Sequence, residues 1–254
     1  MPRVHVGQAT LKGHLERYAK TFDLLEVKSD PALPSLKALK KLKQQAPEGF
    51  AFSLVVPRKL AELTETPAAD AFEPVRAAAA ALGARFVLVR TPATFAPSAR
   101  SRARLGRLVE GLRGAASAIA WEPRGIWTDE EIAATAAELD VLAVRDLAEQ
   151  DPVPGPIVYT RLIALGRNQR VGSGAIERMS ERLEGIDGLA ECFVIVEGQG
   201  AVNVARRLRA ELADEDGAGA EVDGEDEGED GEDGEDEEFD DEDFDEDAES
   251  DEDE

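Results

Sequence analysis

Charged side chains recur at one kind of place in this sequence. Glu26 with Lys28, Arg58, Arg90, Glu122 with Arg124, Arg145 with Asp146, Arg161 and Glu197 each stand at or just beyond the end of a short apolar run. Arginine offers a planar donor fork that matches a phosphate or a carboxylate, and lysine offers a compact charge. Arg58, Arg90, Arg124, Arg161 and Lys28 are therefore the candidate ligand-binding residues, and the ligand class is a small anion. The same cations could instead close on Glu26, Glu122, Asp146 and Glu197 as an ion-pair network, because the two signs nearly balance. Both readings stand open at this stage. Glu26, Glu122 and Asp146 are the candidates for acid–base work, since carboxyl groups across a pocket can titrate apart. Lys28 and Arg124, close in sequence to Glu26 and Glu122, would lower those pKa values and make poor acids of them.

Other reactive residues point to less. His5 lies between Val4 and Val6 and reads as a packed core residue, while His14 reads as solvent-facing. The single cysteine, Cys192 beside Phe193, reads as buried and inert, and one cysteine allows no intrachain disulfide and no cysteine-based zinc site. The histidines form no ligand cluster, so no metal is expected. Trp121 is read as packing outside its strand, and Trp127 as capping a pocket mouth or stacking on a ligand. A segment rich in Gly, Arg and Ser, residues 165–174, carries anion-binding parts ahead of a helix start, although an ordinary surface loop has the same composition.

The elements that would position these groups alternate. Eight apolar, β-like runs cover 4–8, 24–29, 50–57, 85–91, 118–122, 141–146, 157–165 and 192–197. Nearly continuous apolar character is the mark of strands buried on both faces of a parallel sheet. Helical spacing covers 10–22, 35–45, 72–82, 98–112, 128–139, 173–183 and 200–212. Thr128-Asp129-Glu130-Glu131 is a capping box. Only residues 147–156, with three prolines and a glycine, read as a loop without a helix. Eight strands alternating with helices over about 210 residues predict an α/β fold, a (β/α)8 barrel of the TIM type in a single domain. A doubly wound open sheet is the rival. The first strand–helix turn, Gly7-Gln8-Ala9-Thr10, lacks the G-x-G-x-x-G dinucleotide fingerprint, so no cofactor is expected.

Composition divides the chain in two. Residues 214–254 hold 28 acids and no base. Removing those 28 from the 54 acids leaves 26 against 29 lysines and arginines, so the net charge of −25 belongs to the tail and the rest is close to +3. The organisation read here is a barrel over 1–212 and a disordered acidic tail over 213–254. Phe239 and Phe244 interrupt the acids and could serve a short motif that docks on a basic protein partner. No run of about 18 apolar residues is present and no signal-peptide pattern opens the chain, so the expectation is a cytoplasmic protein that does not engage a membrane. With 5% aromatic residues and no basic–aromatic array, the folded part is not expected to bind nucleic acid.

Several motifs resemble, in order, those of the YecE-like family, domain of unknown function 72, whose members adopt a TIM-type barrel. Tyr18-Ala19 and Phe22 with Leu25-Glu26-Val27 resemble Y-A-x-x-F-x-x-V-E-V. Pro47-Glu48-Gly49-Phe50-Ala51-Phe52-Ser53 with Pro57-Arg58 resembles P-x-G-F-x-F-S…P-R. Thr91-Pro92-Ala93-Thr94-Phe95, Glu122-Pro123-Arg124 with Trp127, Tyr159-Thr160-Arg161-Leu162 and Ala201-Val202-Asn203-Val204-Ala205 follow L-P-P-S-F, E-x-R…W, Y-V-R-L and A-x-N-A. The departures fall at polar positions near strand ends. G-T-S-G-W becomes Gly7-Gln8-Ala9-Thr10-Leu11, an Asn becomes Lys28, a Lys becomes Val55, a Gln becomes Arg90, a His-Gly pair becomes Ile163-Ala164, and Phe-Asn-Asn becomes Val196-Glu197-Gly198. The resemblance implies a barrel and no particular reaction, and it marks a divergent member with an added acidic tail.

Two functional expectations result, and neither settles whether the protein is an enzyme. One is a barrel that binds a small phosphate- or carboxylate-bearing ligand at its C-terminal mouth. The other is a non-catalytic interaction protein with a decayed site, whose acidic tail engages a basic partner.

Overall fold

A computed structural model describes residues 2–11, 13–64, 67–163, 171–198 and 200–211. The acidic tail and most of the 165–174 segment lie outside the described residues. Eight strands are present among the described residues: β1 (Arg3–Gln8), β2 (Leu24–Val27), β3 (Ala51–Val55), β4 (Phe86–Arg90), β5 (Ala118–Glu122), β6 (Leu142–Ala143), β7 (Ile157–Ile163) and β8 (Glu191–Glu197). All pair in parallel in the order β6-β5-β4-β3-β2-β1-β8-β7. A parallel bridge between Arg145 and Thr160 brings the two ends of that sheet together, with Arg161 N–H donating to the Arg145 carbonyl at 3.1 Å. The arrangement is a TIM-type (β/α)8 barrel, nearly closed.

The outer layer consists of α1 (Leu15–Tyr18), α2 (Leu36–Gln45), α3 (Arg58–Ala61), α4 (Glu73–Leu82), α5 (Ala99–Leu112), α6 (Asp129–Leu139), α7 (Ser173–Glu184) and α8 (Ala201–Glu211), with a 3₁₀ turn at Ala69–Phe72. Each longer helix turns an apolar stripe toward the sheet. Leu105, Leu108, Val109 and Leu112 of α5 are buried, as are Ile176, Met179 and Leu183 of α7. Ser35 and Ser98 cap α2 and α5, and the Thr128–Glu131 capping box forms as the sequence indicates. No helix follows β6, in keeping with the prolines of residues 147–156.

Two expectations need correction. The first helix was expected over residues 10–22 and spans only Leu15–Tyr18, because Gly13 adopts a left-handed conformation (φ +72°) that ends any helix before it. The sixth strand, expected over 141–146, is two residues long. The chain turns at Asp146, whose carboxylate accepts from Ala148 N–H at 3.0 Å, and the ladder continues only as the Arg145–Thr160 bridge. The third strand is followed by two short turns before α4, which helical periodicity did not mark because α3 is a single turn.

The barrel interior is a second core, distinct from the helix–sheet layer. Leu24, Ala51, Val55, Phe86, Leu88, Ala120, Val144, Tyr159, Phe193 and Ile195 fill it. Alternation along a strand then puts the residue two positions beyond each inward side chain into the next layer up. Trp121, by the same alternation, lies outside, fully buried, with its indole N–H donating to Thr91 Oγ1 at 3.1 Å. The lower end is closed by His5, which is buried and stacks on Phe193 with ring centroids 4.5 Å apart. His5 Nδ1 lies 3.3 Å from Asp23 and Nε2 3.6 Å from Glu191, which also pairs with Arg85.

Candidate functional site

The uppermost inward layer is charged. Counting two residues on from Leu24, Leu88, Ala120, Tyr159 and Ile195 gives Glu26, Arg90, Glu122, Arg161 and Glu197. These side chains meet at the C-terminal mouth, where barrel sites lie. Arg161 stands at the centre with a side chain only 2% exposed. Its Nη2 lies 2.6 Å from Glu26 Oε2, its Nε 3.2 Å from Glu122 Oε2, and its Nη1 donates to Glu197 Oε1. Burial alone would depress the Arg161 pKa. The carboxylates of Glu26 and Glu122, with Tyr159 and Glu197, overcome that and raise it, so the guanidinium is permanently charged. Glu26 is fully buried and also accepts from the Tyr159 hydroxyl at 3.1 Å. Burial and the neighbouring Glu26 charge push the Tyr159 pKa well up, so this hydroxyl stays a donor.

Glu122 carries three arginines. Its Oε2 lies 3.2 Å from Arg161 Nε and 2.9 Å from Arg90 Nε as ion pairs; its Oε1 accepts from Arg90 Nη2 at 3.2 Å and from Arg124 Nε at 3.0 Å. Burial would raise this carboxyl, but Arg161, Arg90 and Arg124 together hold it below the usual range. A carboxyl held ionised in this way is a poor proton donor near neutral pH.

Beside this network a cleft of about 340 Å³ opens over the ends of β2 to β5. Lys28, Arg58, Arg90 and Arg124 line it, with Asp30 and Glu62 as its acids and Val55, Val56, Ala61, Pro92 and Ala93 as its apolar surface. The cations are not equally committed. Arg58 pairs with Glu62 at 2.8 Å, and Arg90 is bound to Glu122. Arg124 is half exposed and uses only Nε on Glu122, so its two terminal nitrogens have no partner among the described residues. Among the described residues, Lys28 Nζ hydrogen-bonds only the Thr10 hydroxyl, at 3.3 Å.

The loops holding Arg124 are firmly built. Gly125 has φ +99°, and a Cβ there would lie 2.4 Å from the Ala93 carbonyl oxygen, so the loops after β4 and β5 pass at backbone contact. Trp127 stacks on Phe95 and donates to its carbonyl at 2.7 Å. Trp127 is therefore buried as a strut between these loops.

The sequence-derived candidates thus divide by place. Glu26, Glu122 and Arg161 converge in the buried network. Lys28, Arg58, Arg90 and Arg124 share the cleft. Asp146 joins neither; it caps the turn after β6, and burial raises its pKa. Arg145 turns to Asp129 at the start of α6. Tyr159 escaped sequence reasoning, although its spacing of two from Arg161 on β7 was the available signal. Asp30 and Glu62 were missed because neither stands at a strand end: Asp30 follows β2 in a loop and Glu62 caps the single turn α3. Among the described residues no group of His, Cys, Asp and Glu is arranged to hold a metal ion, and no helix is long and apolar enough to cross a membrane. Cys192 is fully buried, which pushes its thiol up to about 12.

Fold and mouth together define a parallel (β/α)8 barrel whose strand ends carry an arginine–carboxylate network. The chain belongs to the family described as "Protein of unknown function DUF72", whose model matches residues 6–226. Solved DUF72 proteins are similar in structure. One from Enterococcus faecalis is 18% identical, with a TM-score of 0.65 over 84% of this chain and 98% of its own. One from Thermotoga maritima is 16% identical, with a TM-score of 0.67 over 83% and 99%. An AP endonuclease, family 2, from Brucella melitensis shares the fold at 14% identity and a TM-score of 0.56, over 83% and 99%. No curated protein matches the chain.

Proposed function

We propose that the mouth of this barrel binds a small anionic ligand, phosphate- or carboxylate-bearing, in the cleft beside the arginine–carboxylate network. One observation carries the reading. Four of the five candidate cations line a single cleft, and Lys28 and Arg124 still hold donors with no acidic partner among the described residues. Such donors, half-shielded from water over a low-dielectric barrel, are worth more to an anion than the same groups in solution. Arg161 supports the site from below rather than reaching the ligand, because three carboxylates consume its charge.

The experiment is a thermal-shift titration of the full chain with inorganic phosphate. Binding to the folded state raises Tm progressively with concentration. Lys28→Ala and Arg124→Ala should each reduce that rise, and the double variant should abolish it. Equal responses in all four proteins would remove the cleft from consideration.

A second reading has its own support. The closure of Arg161 by Glu26, Glu122 and Glu197 is what a decayed site turned structural would look like. On that reading the barrel is a non-catalytic scaffold, and the 28 acids of residues 214–254 engage a basic protein partner. A folded protein that shows no phosphate response would favour it.

A further inference from the structure

The Glu122 carboxylate occupies an unusual place for a structural acid. Three guanidinium groups from three strand ends, Arg90, Arg124 and Arg161, converge on its two oxygens; Arg90 and Arg124 also line the open cleft, and Arg161 belongs to the central network. That is the donor arrangement a bound carboxylate or phosphate would require. Here a tethered side chain fills it. Arg124, the most exposed of the three, holds Glu122 through Nε alone and keeps its outer nitrogens turned away from that bond.

We infer that Glu122 is a resident anion: its carboxylate sits in the seat between Arg90, Arg124 and Arg161 and thereby decides which ligands the mouth accepts. The inference rests on the anion-binding reading of the mouth and narrows it. A free monocarboxylate would replace like with like, and it would compete against a group whose tether holds it at a high effective concentration. It gains nothing by entering. A phosphate monoester brings a second charge and three oxygens. It can draw Arg124 outward and engage Lys28 and Arg58 without evicting Glu122 from Arg90 and Arg161. The ligand class is therefore a dianionic phosphate ester, and Glu122 acts as the filter against simple carboxylates.

Charge supports this account. Glu122 is held ionised by its three arginines in spite of burial, so the filter stays negative across the neutral range. The network below it does not depend on Glu122 alone, because Arg161 keeps Glu26 and Glu197.

The test compares the full chain with Glu122→Gln, using inorganic phosphate and acetate as probes in calorimetric titration at fixed ionic strength. In the unsubstituted protein, phosphate should bind and acetate should not. Removing the resident charge should tighten phosphate binding by about tenfold or more, given charges a few ångströms apart near a protein surface, and should allow acetate to bind. Unchanged or weaker phosphate binding in Glu122→Gln overturns the inference, while phosphate binding by the unsubstituted protein leaves the mouth reading intact. Binding of neither probe by either protein overturns both. Glu122→Asp guards against a folding defect. It keeps the charge for Arg161 but draws the carboxylate back from Arg124, so its phosphate affinity should fall between the other two, and an affinity equal to or below the unsubstituted protein's counts against the inference.

Discussion

At the scale of single residues, the mouth is governed by where desolvation is offset. Arg161 and Glu26 are almost wholly removed from water, and their pairing offsets the cost of burying both. Truncating Arg161 to alanine leaves Glu26 buried without its countercharge and takes one partner each from Glu122 and Glu197. The expected loss is about 3–5 kcal/mol in urea unfolding. A loss under about 1 kcal/mol would mean that water reaches Glu26 and the network is not structural. Glu122 carries a pH signature. Folding lowers its pKa below its ordinary value of 4.5, so between the folded and unfolded values the unfolded state binds more protons. The stability it contributes is complete above the unfolded pKa and is lost as pH falls through the folded one. Urea midpoints followed downward from about pH 6 should therefore drop below about pH 4.5. The drop should be shallower in Glu122→Gln. Asp23, lowered by His5, the Val6 N–H and Arg209 against its burial, contributes in the same sense, and Asp146 in the opposite one. Both are common to the two proteins and leave the difference between them readable.

At the scale of elements, the loops after β4 and β5 act as one unit, joined where Gly125 passes Ala93 and where Trp127 meets Phe95. Gly125→Ala brings a Cβ against backbone at a positive φ. It should destabilise by about 1–3 kcal/mol and, by moving Arg124, weaken the phosphate response more than Tm alone explains. A Tm loss with an unaltered phosphate response would separate the loop from the site. Thr128→Ala, which removes the capping box of α6, should cost about 1 kcal/mol and leave the response unchanged. Most elements were legible in the sequence because apolar runs and 3.6-residue stripes are local properties of the chain. The helix over 10–22 and the strand over 141–146 were overestimated for a local reason and a non-local one. Gly13 adopts a positive φ that the apolar stripe does not show, and β6 is limited by the Asp146 turn and by what β7 presents to it.

At the scale of the whole molecule, the chain's charge is partitioned by sequence position, with 28 acids after residue 213 and a near-neutral remainder. We propose that this stretch adds nothing to the folded core, because it offers little apolar surface against the entropy of ordering it. A chain ending at residue 213 should therefore unfold with a Tm within about 2 °C of the full chain, a shift that corresponds to about 0.5–1 kcal/mol for a domain of this size. A fall of more than about 10 °C in scanning calorimetry would make residues 214–254 part of the folded structure.

The sequence alone determined the alternation of strands and helices, the missing helix between β6 and β7, and the family, because periodicity, prolines and ordered motifs are written along the chain. It also placed arginines and glutamates at the strand ends. Which of them pair was decided only in three dimensions. Pairing of β8 with β1 brings β7 into the barrel beyond it and carries Arg161 to Glu26, 135 residues away along the chain. Burial then turns that contact into an obligatory pair, while Lys28 and Arg124, a layer higher and open to water, are left with donors to spare. The separation of structural charge from available charge follows from depth in the barrel, a coordinate that a linear sequence does not carry.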